Sequence, residues 1–201
     1  MEKIILASLS PRREKSAKTM GLNFEIIPSN FIEDMTLNLP PDKLAMELAL
    51  GKAKDVAKKL REGIVLGFDT FVYFNNKLIG KPKDKKDAFN TLKSYSGKFH
   101  EVYTGIAIIN CKTGKTIKDC VITRVHFKKL SDNEINKYIE TKEPLDKAGS
   151  YGIQDLGSVF IDRIEGDFYN ITGFPISTVY ENLKKMGVDI FECSAWKEDN
   201  K

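Results

Sequence analysis

The segment ASLSPRR at residues 7–13 places hydroxyl and guanidinium groups directly after a short apolar run. Ser10 and Pro11 suit the N-cap and the first position of a helix, so Arg12 and Arg13 fall in its first turn. Unpaired backbone amides of that turn, together with two guanidinium groups, would form an anion site suited to phosphate. Two solvated surface arginines on an ordinary capped helix explain the same residues equally well.

A second chemical group lies in the apolar run VLGFDTFV, where Asp69 is the only charged residue. A carboxylate in such a strand must be hydrogen-bonded, ion-paired, metal-bound or shifted in pKa. A metal ligand or a general base is one such arrangement. An aspartate at a strand end, satisfied by backbone amides, is the commoner one for an isolated segment of this kind.

Two lysines and one amide stand in glycine-containing loops: Lys81, Lys147 and Gln154. Glycine lets the backbone approach a ligand closely, and a glutamine amide can pair with the edge of a nucleotide base. Taken singly, each lysine is more often a solvated surface charge. Glu33, in a turn, and Lys52, in a predicted helix, indicate less still by themselves.

The elements that must position these groups alternate between strands and helices. We expect strands at Lys3–Ala7, Phe24–Pro28, Ile64–Phe74, Lys77–Gly80, Val102–Asn110, Thr116–Phe127 and Val188–Phe191. We expect helices at Pro11–Met20, from Pro41, after Asp84 to Tyr95, after a capping box at Ser131 and Glu134, and from Pro175. Such a mixture, with at least two hairpins, predicts an α/β fold with a mixed β-sheet and flanking helices.

Composition narrows the class of protein. The 201 residues are 41% hydrophobic, and 32 basic against 28 acidic residues give a net charge of +4, which is too even to indicate a nucleic-acid binder. Three cysteines without a CxxC pair are typical of a reducing compartment. The apolar run at residues 4–7 is too short for a signal peptide, and no stretch is long enough for a membrane helix. We therefore expect a cytoplasmic protein.

Other catalytic and binding signatures are missing from the sequence. No GxGxxG and no Walker phosphate loop occurs, and Ser8 and Ser10 lack the GxSxG context of a serine hydrolase. His100 and His126 do not form an HxxxH or HExxH zinc pattern. These observations exclude the common dinucleotide, P-loop and zinc-hydrolase motifs.

Six blocks of the chain, taken in order, resemble the Maf family of nucleoside triphosphate pyrophosphatases. The resemblance extends from about residue 4 to about residue 183. Its blocks are ILASLSPRR, VLGFDTFV, GKPKD, SGKFHEVYTG, EPLDKAGSYGIQ and GDFYNITGFP. Each block alone is weak, but six in the same order are specific.

The resemblance implies a fold like that of the inosine-triphosphate pyrophosphatases, two-lobed with a central cleft, and often a homodimer. Residues 1–193 would form a single domain and residues 194–201 a polar, frayed tail. The implied reaction is hydrolysis of a nucleoside triphosphate to the monophosphate and pyrophosphate, with Mg²⁺ or Mn²⁺ as cofactor. The blocks around Arg12 and Gln154 are similar to the branch that acts on dTTP, UTP and modified pyrimidine nucleotides.

Residue roles follow from the same resemblance. Asp69 would be the general base, and Arg12, Thr70 and Gln154 would determine which base is accepted. The phosphate and metal site would be lined by Ser8, Arg13, Glu33, Lys52, Lys81 and Lys147. Of these groups, the carboxylates of Glu33 and Asp69 would hold the metal, since Mg²⁺ prefers oxygen ligands.

Four positions depart from the family pattern and leave base specificity open. Phe68 stands where a small residue is usual, Lys15 and Ser16 replace two leucines, and Asp155 replaces a glycine. Pyrophosphatases acting on inosine triphosphate or 7-methyl-GTP are therefore alternatives. A nucleotide-binding or DNA-binding regulator of cell division is a third alternative, disfavoured by the even charge balance and the absence of a helix-turn-helix pattern.

Overall fold

The computed structural model describes residues 2–193. It contains a seven-stranded mixed sheet with flanking helices. The strands are β1 (Ile4–Leu6), β2 (Phe24–Ile26), β3 (Ile64–Phe74), β4 (Lys77–Ile79), β5 (Phe99–Asn110), β6 (Thr116–Phe127) and β7 (Ile161–Glu165). The helices are α1 (Pro11–Thr19), α2 (Pro41–Ala57), α3 (Lys85–Tyr95), α4 (Asp132–Glu140), α5 (Phe168–Ile171), α6 (Ile176–Lys185) and α7 (Ile190–Cys193). Short 3₁₀ helices lie at Glu143–Asp146, Ala148–Ser150 and Leu156–Phe160.

The sheet combines parallel and antiparallel neighbours. Its strand order is β2-β1-β3-β5-β6-β7, with β4 paired to β3. β1 runs parallel to both β2 and β3, so that Ile5 lies opposite Glu25 on one side and Val65 on the other. β3 with β4 and β6 with β7 are antiparallel pairs. The predicted α/β fold with a mixed sheet and flanking helices is therefore confirmed.

Two compact units divide the chain. Of the described residues, unit 1 comprises residues 2–69, 104–121 and 173–193, and unit 2 comprises residues 70–103 and 122–172. The last eight residues, predicted to be a frayed tail, lie outside the described part of the chain. Within residues 2–193, none of the helices combines the length and apolarity needed to span a membrane.

The core of unit 1 occupies both faces of its strands, because β1 and β3 are apolar at nearly every position. Side chains alternate between the faces of a strand. Ile4 and Leu66 pack in a cluster with Phe174 and Leu183 of the C-terminal segment, while Val65 packs in a separate cluster with residues of α2. The carboxyl-terminal half of β3 belongs to unit 2.

The core of unit 2 lies where α3 and α4 cover its strands. Val102 and Phe127 of the sheet are buried in one cluster with Leu92 of α3 and Ile135 of α4. Tyr95 is also fully buried there. Large apolar and aromatic side chains thus hold unit 2 together.

Local signals in the sequence predicted one tight turn and two helix caps. Asn75 and Asn76 adopt φ values of 49° and 59° in the predicted tight turn between β3 and β4, the left-handed conformation that asparagine tolerates best among non-glycine residues. Asp84 caps α3 through the backbone N–H of Asp87, and the predicted capping box of Ser131 and Glu134 is present at α4.

Some expectations about the elements were wrong. The predicted final strand at residues 188–191 is absent: Ile190–Cys193 forms α7, and both Val188 and Ile190 are buried in the unit 1 core. The four residues Val-Asp-Ile-Phe at 188–191 are too few to separate a strand from a helix by their pattern, and tertiary packing decides between the two. Ser10 occupies the N-cap position of α1, but its side chain makes no capping hydrogen bond.

Candidate active site

Asp69 lies near the middle of β3 and is only 4% exposed. Residues of alternate parity point to opposite faces of a strand, so Asp69 shares its face with Val65, which packs on α2. Gly67 lies between them, and a Cβ there would be 2.5 Å from the Ala49 carbonyl oxygen of α2. The absence of a side chain at Gly67 therefore lets α2 approach the strand closely beside Asp69.

Lys52 of α2 joins two carboxylates. Its Nζ atom lies 2.6 Å from Oδ1 of Asp69 and 2.6 Å from Oε1 of Glu33, and its side chain is only 13% exposed. Burial raises the pKa of Asp69, while the charge and hydrogen bond of Lys52 oppose that rise. A buried carboxylate with a raised pKa and an adjacent cation is the kind of group that performs acid–base chemistry.

The loop that carries Glu33 is anchored to α2 at two further points. Gly51 has no Cβ, and a Cβ there would lie 2.3 Å from the ring of Phe31, so the ring occupies that space. One turn further along α2, Asp55 accepts a hydrogen bond of 2.9 Å from the backbone N–H of Asn30. A glycine that weakens the helix locally thus provides the surface on which this loop packs.

Arg13 is held by several contacts within unit 1. Its Nη1 donates to Oγ of Ser8 at 3.2 Å, and its Nε donates to the Gly173 carbonyl oxygen at 3.0 Å. The guanidinium also lies 5.8 Å from the centre of the Phe68 ring. Burial lowers the pKa of Arg13, whereas the negative charge of Asp69 raises it. Arg13 is therefore a fixed cation close enough to Asp69 to interact with it electrostatically.

We call these five residues the Asp69 cluster: Ser8, Arg13, Glu33, Lys52 and Asp69. The expectation that they converge agrees with the contacts within unit 1. The two carboxylates of the Asp69 cluster are matched in number by its two cationic side chains. Arg12, the neighbour of Arg13 on α1, is half-buried, and its positive charge lowers the pKa of Arg13 by repulsion. The two first-turn arginines are therefore close enough to interact electrostatically.

A divalent cation fits the oxygen ligands of this cluster. The oxygens of Glu33 and Asp69 are brought together on one ammonium group, that of Lys52. Among residues 2–193, no group of three or more His, Cys, Asp or Glu side chains is arranged to hold a metal. Mg²⁺ is commonly bound by one or two carboxylates, with water and substrate phosphate completing its coordination. The pair therefore suits a metal that arrives with a phosphate ligand.

The other predicted residues belong to unit 2. Thr70 is half-buried on β3, Lys81 is exposed in the turn after β4, and Gln154 is half-buried in the segment that also carries Lys147. That segment and the Lys81 turn are joined, because the N–H of Gly149 donates to the Gly80 carbonyl oxygen at 3.0 Å. The two predicted lysine-bearing loops of unit 2 are therefore adjacent.

Lys147 is not the solvated surface charge that its local sequence favoured. It is 8% exposed, and its Nζ donates to the Glu143 carbonyl oxygen at 3.0 Å and to Oδ1 of Asp146 at 3.1 Å. Gly152 permits this arrangement, since a Cβ there would lie 2.7 Å from Cε of Lys147.

Sequence reasoning missed several residues that hold these groups in place. Phe31 and Asp55 anchor the Glu33 loop, and Gly173 supplies the carbonyl that binds Arg13. One signal was available for Phe31: a glycine within α2, immediately before Lys52, indicates a close neighbour. Nothing local marked Asp55, and the block GDFYNITGFP, which contains Gly173, gave no sign of a contact with Arg13.

Comparison with known proteins identifies the family of this chain. The model of the family described as "Maf-like protein" matches residues 3–186. The chain is 50% identical over 177 residues to a protein of Alkaliphilus oremlandii named dTTP/UTP pyrophosphatase, covering 88% of this chain and 92% of that one. It is 48% identical over 190 residues to a Clostridium novyi protein of the same name, covering 94% and 100% of the two chains.

A third relative, from Thermoanaerobacter sp., also bears the name dTTP/UTP pyrophosphatase and is 47% identical over 184 residues. The alignment covers 91% of this chain and 96% of the relative. The family match at residues 3–186 includes every residue of the Asp69 cluster. The chain therefore belongs to the Maf family.

Proposed function

We propose that this chain hydrolyses nucleoside triphosphates, foremost dTTP, UTP and modified pyrimidine nucleotides, to the nucleoside monophosphate and pyrophosphate. The observation that carries the proposal is the buried Asp69 carboxylate held by Lys52, in a chain whose relatives are named dTTP/UTP pyrophosphatases. We further propose that residues 1–193 act as one catalytic domain. Homodimerisation stays a prediction of the resemblance, and a cytoplasmic location stays a prediction of the composition.

The proposed catalytic residue is Asp69. Its carboxylate would orient the attacking water and accept its proton as the water adds to the α-phosphorus and the bond to the pyrophosphate oxygen breaks. Burial raises the pKa of Asp69, and a raised pKa makes a carboxylate a better proton acceptor near neutral pH. The proton then resides on Asp69 until it is released to solvent.

The cations of the Asp69 cluster would neutralise the phosphate charge. The attack is opposed by anionic oxygens, so charge neutralisation and alignment lower the barrier more than covalent participation does. Arg13 is already fixed by Ser8 and by the Gly173 carbonyl, which reduces the reorganisation needed when the phosphate binds. Ser8 can donate its hydroxyl hydrogen to a phosphate oxygen.

A divalent cation, Mg²⁺ or Mn²⁺, is proposed as the cofactor, with Glu33 and Asp69 as its ligands from unit 1. When bound, such an ion withdraws charge from phosphate oxygens and makes bound water more acidic. Lys52 donates to both carboxylates, and it would keep them oriented towards the same position. The anchored loop before α2 holds Glu33 there.

For unit 2 we propose roles in substrate binding. Lys81 and Lys147 would bind phosphate oxygens, and Thr70 and Gln154 would contact the nucleoside. In unit 1, Arg12 would contribute to the same selection from the first turn of α1. The amide of Gln154 offers both a donor and an acceptor, which match the O4 and N3 edge of uracil or thymine.

The test is pyrophosphate release from a panel of nucleotides: dTTP, UTP, a modified pyrimidine triphosphate, inosine triphosphate and 7-methyl-GTP, each with Mg²⁺, with Mn²⁺ and with chelator. We expect the pyrimidine triphosphates to give the highest kcat/KM, and chelator to abolish turnover. Turnover confined to inosine triphosphate or 7-methyl-GTP would overturn the assigned substrate. Salt-dependent binding of duplex DNA without turnover of any nucleotide would overturn the assigned reaction.

A further inference from the structure

The 143–157 loop of unit 2, which carries Lys147 and Gln154, consists of short 3₁₀ helices joined by irregular backbone. Gly149 and Ser150 have φ values of 75° and 62°, and Lys142, immediately before the loop, has a φ of 65°. Left-handed conformations of non-glycine residues such as Ser150 cost free energy and persist only when surrounding contacts enforce them. Contacts around this loop must therefore enforce these backbone conformations.

Glu143 joins the two ends of the loop. Its Oε1 accepts a hydrogen bond of 3.1 Å from the backbone N–H of Gly157, and its Oε2 accepts one of 3.1 Å from the N–H of Leu156. The hydroxyl of Tyr138, on α4, donates to the same Oε1 at 2.8 Å. One carboxylate therefore closes the loop and ties it to a helix of the unit 2 core.

Tyr138 extends this connection to the middle of the loop. Its hydroxyl accepts a hydrogen bond of 3.3 Å from the N–H of Gly152, and the residue is 3% exposed. A Cβ at Gly157 would lie 2.6 Å from the Tyr138 hydroxyl oxygen, so only glycine fits there without a shift. The side chains of Glu143 and Tyr138 thus bind backbone N–H groups on both sides of Gln154.

Glu143 also contacts Lys147, through its main-chain carbonyl. The Nζ of Lys147 donates to the carbonyl oxygen of Glu143 at 3.0 Å, while Glu143 is itself held by the Tyr138 hydroxyl. Charge-assisted hydrogen bonds such as those of a carboxylate are stronger than neutral ones. Removing the charge on Glu143 would therefore weaken the bonds that fix this residue, and with them the position of the main-chain carbonyl that accepts from Lys147 and of the segment that carries Gln154.

We propose that Glu143 is a positioning residue that sets Lys147 and Gln154 for nucleotide binding; this inference rests on the proposed function. Glu143 acts through the hydrogen bonds of its carboxylate and has no direct role in the chemistry. Its loss should therefore impair binding and base selection rather than the ionisation of Asp69. A role confined to stability would leave base selection unchanged.

The test compares Glu143→Gln with Glu134→Gln. The glutamine preserves size, but its amide nitrogen cannot accept the hydrogen bond of a backbone N–H. Glu134 is a matched control, because it is a carboxylate at the start of α4 that accepts from the N–H of Ser131 at 2.8 Å. For each variant we would measure the thermal midpoint, kcat and KM for dTTP, and the ratio of kcat/KM for dTTP to that for dGTP.

We expect Glu143→Gln to lower kcat/KM for dTTP by about tenfold or more, mainly through KM, and to reduce the dTTP to dGTP ratio. Glu134→Gln should keep both values even if its thermal midpoint falls equally. An unchanged Glu143→Gln enzyme, or an equal loss for both nucleotides, would overturn the proposal. So would a matching loss in Glu134→Gln.

A second variant covers the case in which Glu143→Gln does not fold. Tyr138→Phe removes the hydroxyl that binds both Glu143 and Gly152 and retains the buried ring. We expect the same change in selectivity with a smaller amplitude, and an unchanged ratio would overturn the inference. Wild-type protein that releases pyrophosphate from neither nucleotide would instead refute the proposed function, which separates the two failures.

Discussion

The Asp69 cluster of unit 1 and the 143–157 loop of unit 2 fix their polar side chains in different ways. In the cluster, side chains bind each other from a strand and a helix, as Lys52 does with Asp69. In the loop, side chains such as Glu143 bind backbone N–H groups of an irregular segment. The cluster thus depends on how α2 packs against β3, whereas the loop depends on hydrogen bonds to its backbone, from Glu143 within it and from Tyr138 of α4.

Because of this difference, we expect the cluster and the loop to respond differently to substitution. Regular elements give the cluster a rigid frame, which suits groups whose alignment determines the rate of a chemical step. An irregular loop is more easily altered, which suits the selection of a substrate. We therefore expect substitutions in the cluster to lower kcat, and substitutions in the loop to change KM and base preference.

The largest effect should come from Asp69→Asn. The change removes the proposed base but keeps its shape, so kcat should fall by about a hundredfold or more with little change in KM. Steady-state kinetics of pyrophosphate release would measure it. Glu47→Gln is the matched control, since Glu47 also lies in unit 1 and pairs with a lysine, Lys118, at 2.6 Å but at the surface. Near-normal turnover in folded Asp69→Asn protein would remove Asp69 from the mechanism.

A smaller loss, about tenfold at neutral pH, is expected for Lys52→Met. Lys52 opposes the rise in the pKa of Asp69 that burial causes, so its removal should raise that pKa further. Activity requires the ionised carboxylate and is lost as the pH falls through its pKa. The acidic limb of the kcat/KM profile should therefore move to higher pH in Lys52→Met. The surface variant Lys118→Met should not move it, and an unmoved limb in both would contradict the coupling.

In the 143–157 loop, Gln154→Ala should act on selection rather than rate. Loss of one amide that pairs with the base should reduce the preference for dTTP over dGTP by about fivefold, with kcat for dTTP nearly unchanged. The ratio of kcat/KM values measures this. Asn90→Ala removes an exposed amide of α3 in the same unit and should leave the ratio intact. Full pyrimidine preference in Gln154→Ala would show that another residue reads the base.

The smallest effect should follow from Phe31→Ala, which loosens the loop carrying Glu33. The ring is 37% exposed, and the hydrogen bond from Asn30 to Asp55 remains, so we expect a twofold to threefold rise in the metal concentration for half-maximal activity and a stability loss of about 1 kcal/mol. Metal titration and thermal unfolding would measure both. Ile32→Ala, a neighbouring residue that is 88% exposed, should change neither value.

The sequence by itself determined the elements that local chemistry controls. The Asn75–Asn76 turn, the cap of α3 and the capping box of α4 all follow from residues within four positions of one another. The long apolar run of β3 and the resemblance to the Maf family predicted the α/β sheet and the residues to examine. The same local rules failed at residues 188–193, where the segment is too short for a periodic pattern to separate a strand from a helix.

Only the tertiary structure decided which partners the functional residues have. Lys52 and Asp69 are separated by 17 positions, and Arg13 and Gly173 by 160, so no local pattern specifies either contact. The need for glycine at positions 67 and 51 is visible only in the folded chain, where Ala49 and Phe31 occupy the space beside them. The pKa of Asp69 is likewise a property of the folded chain, because burial and the charge of Lys52 act only after β3 and α2 have packed together.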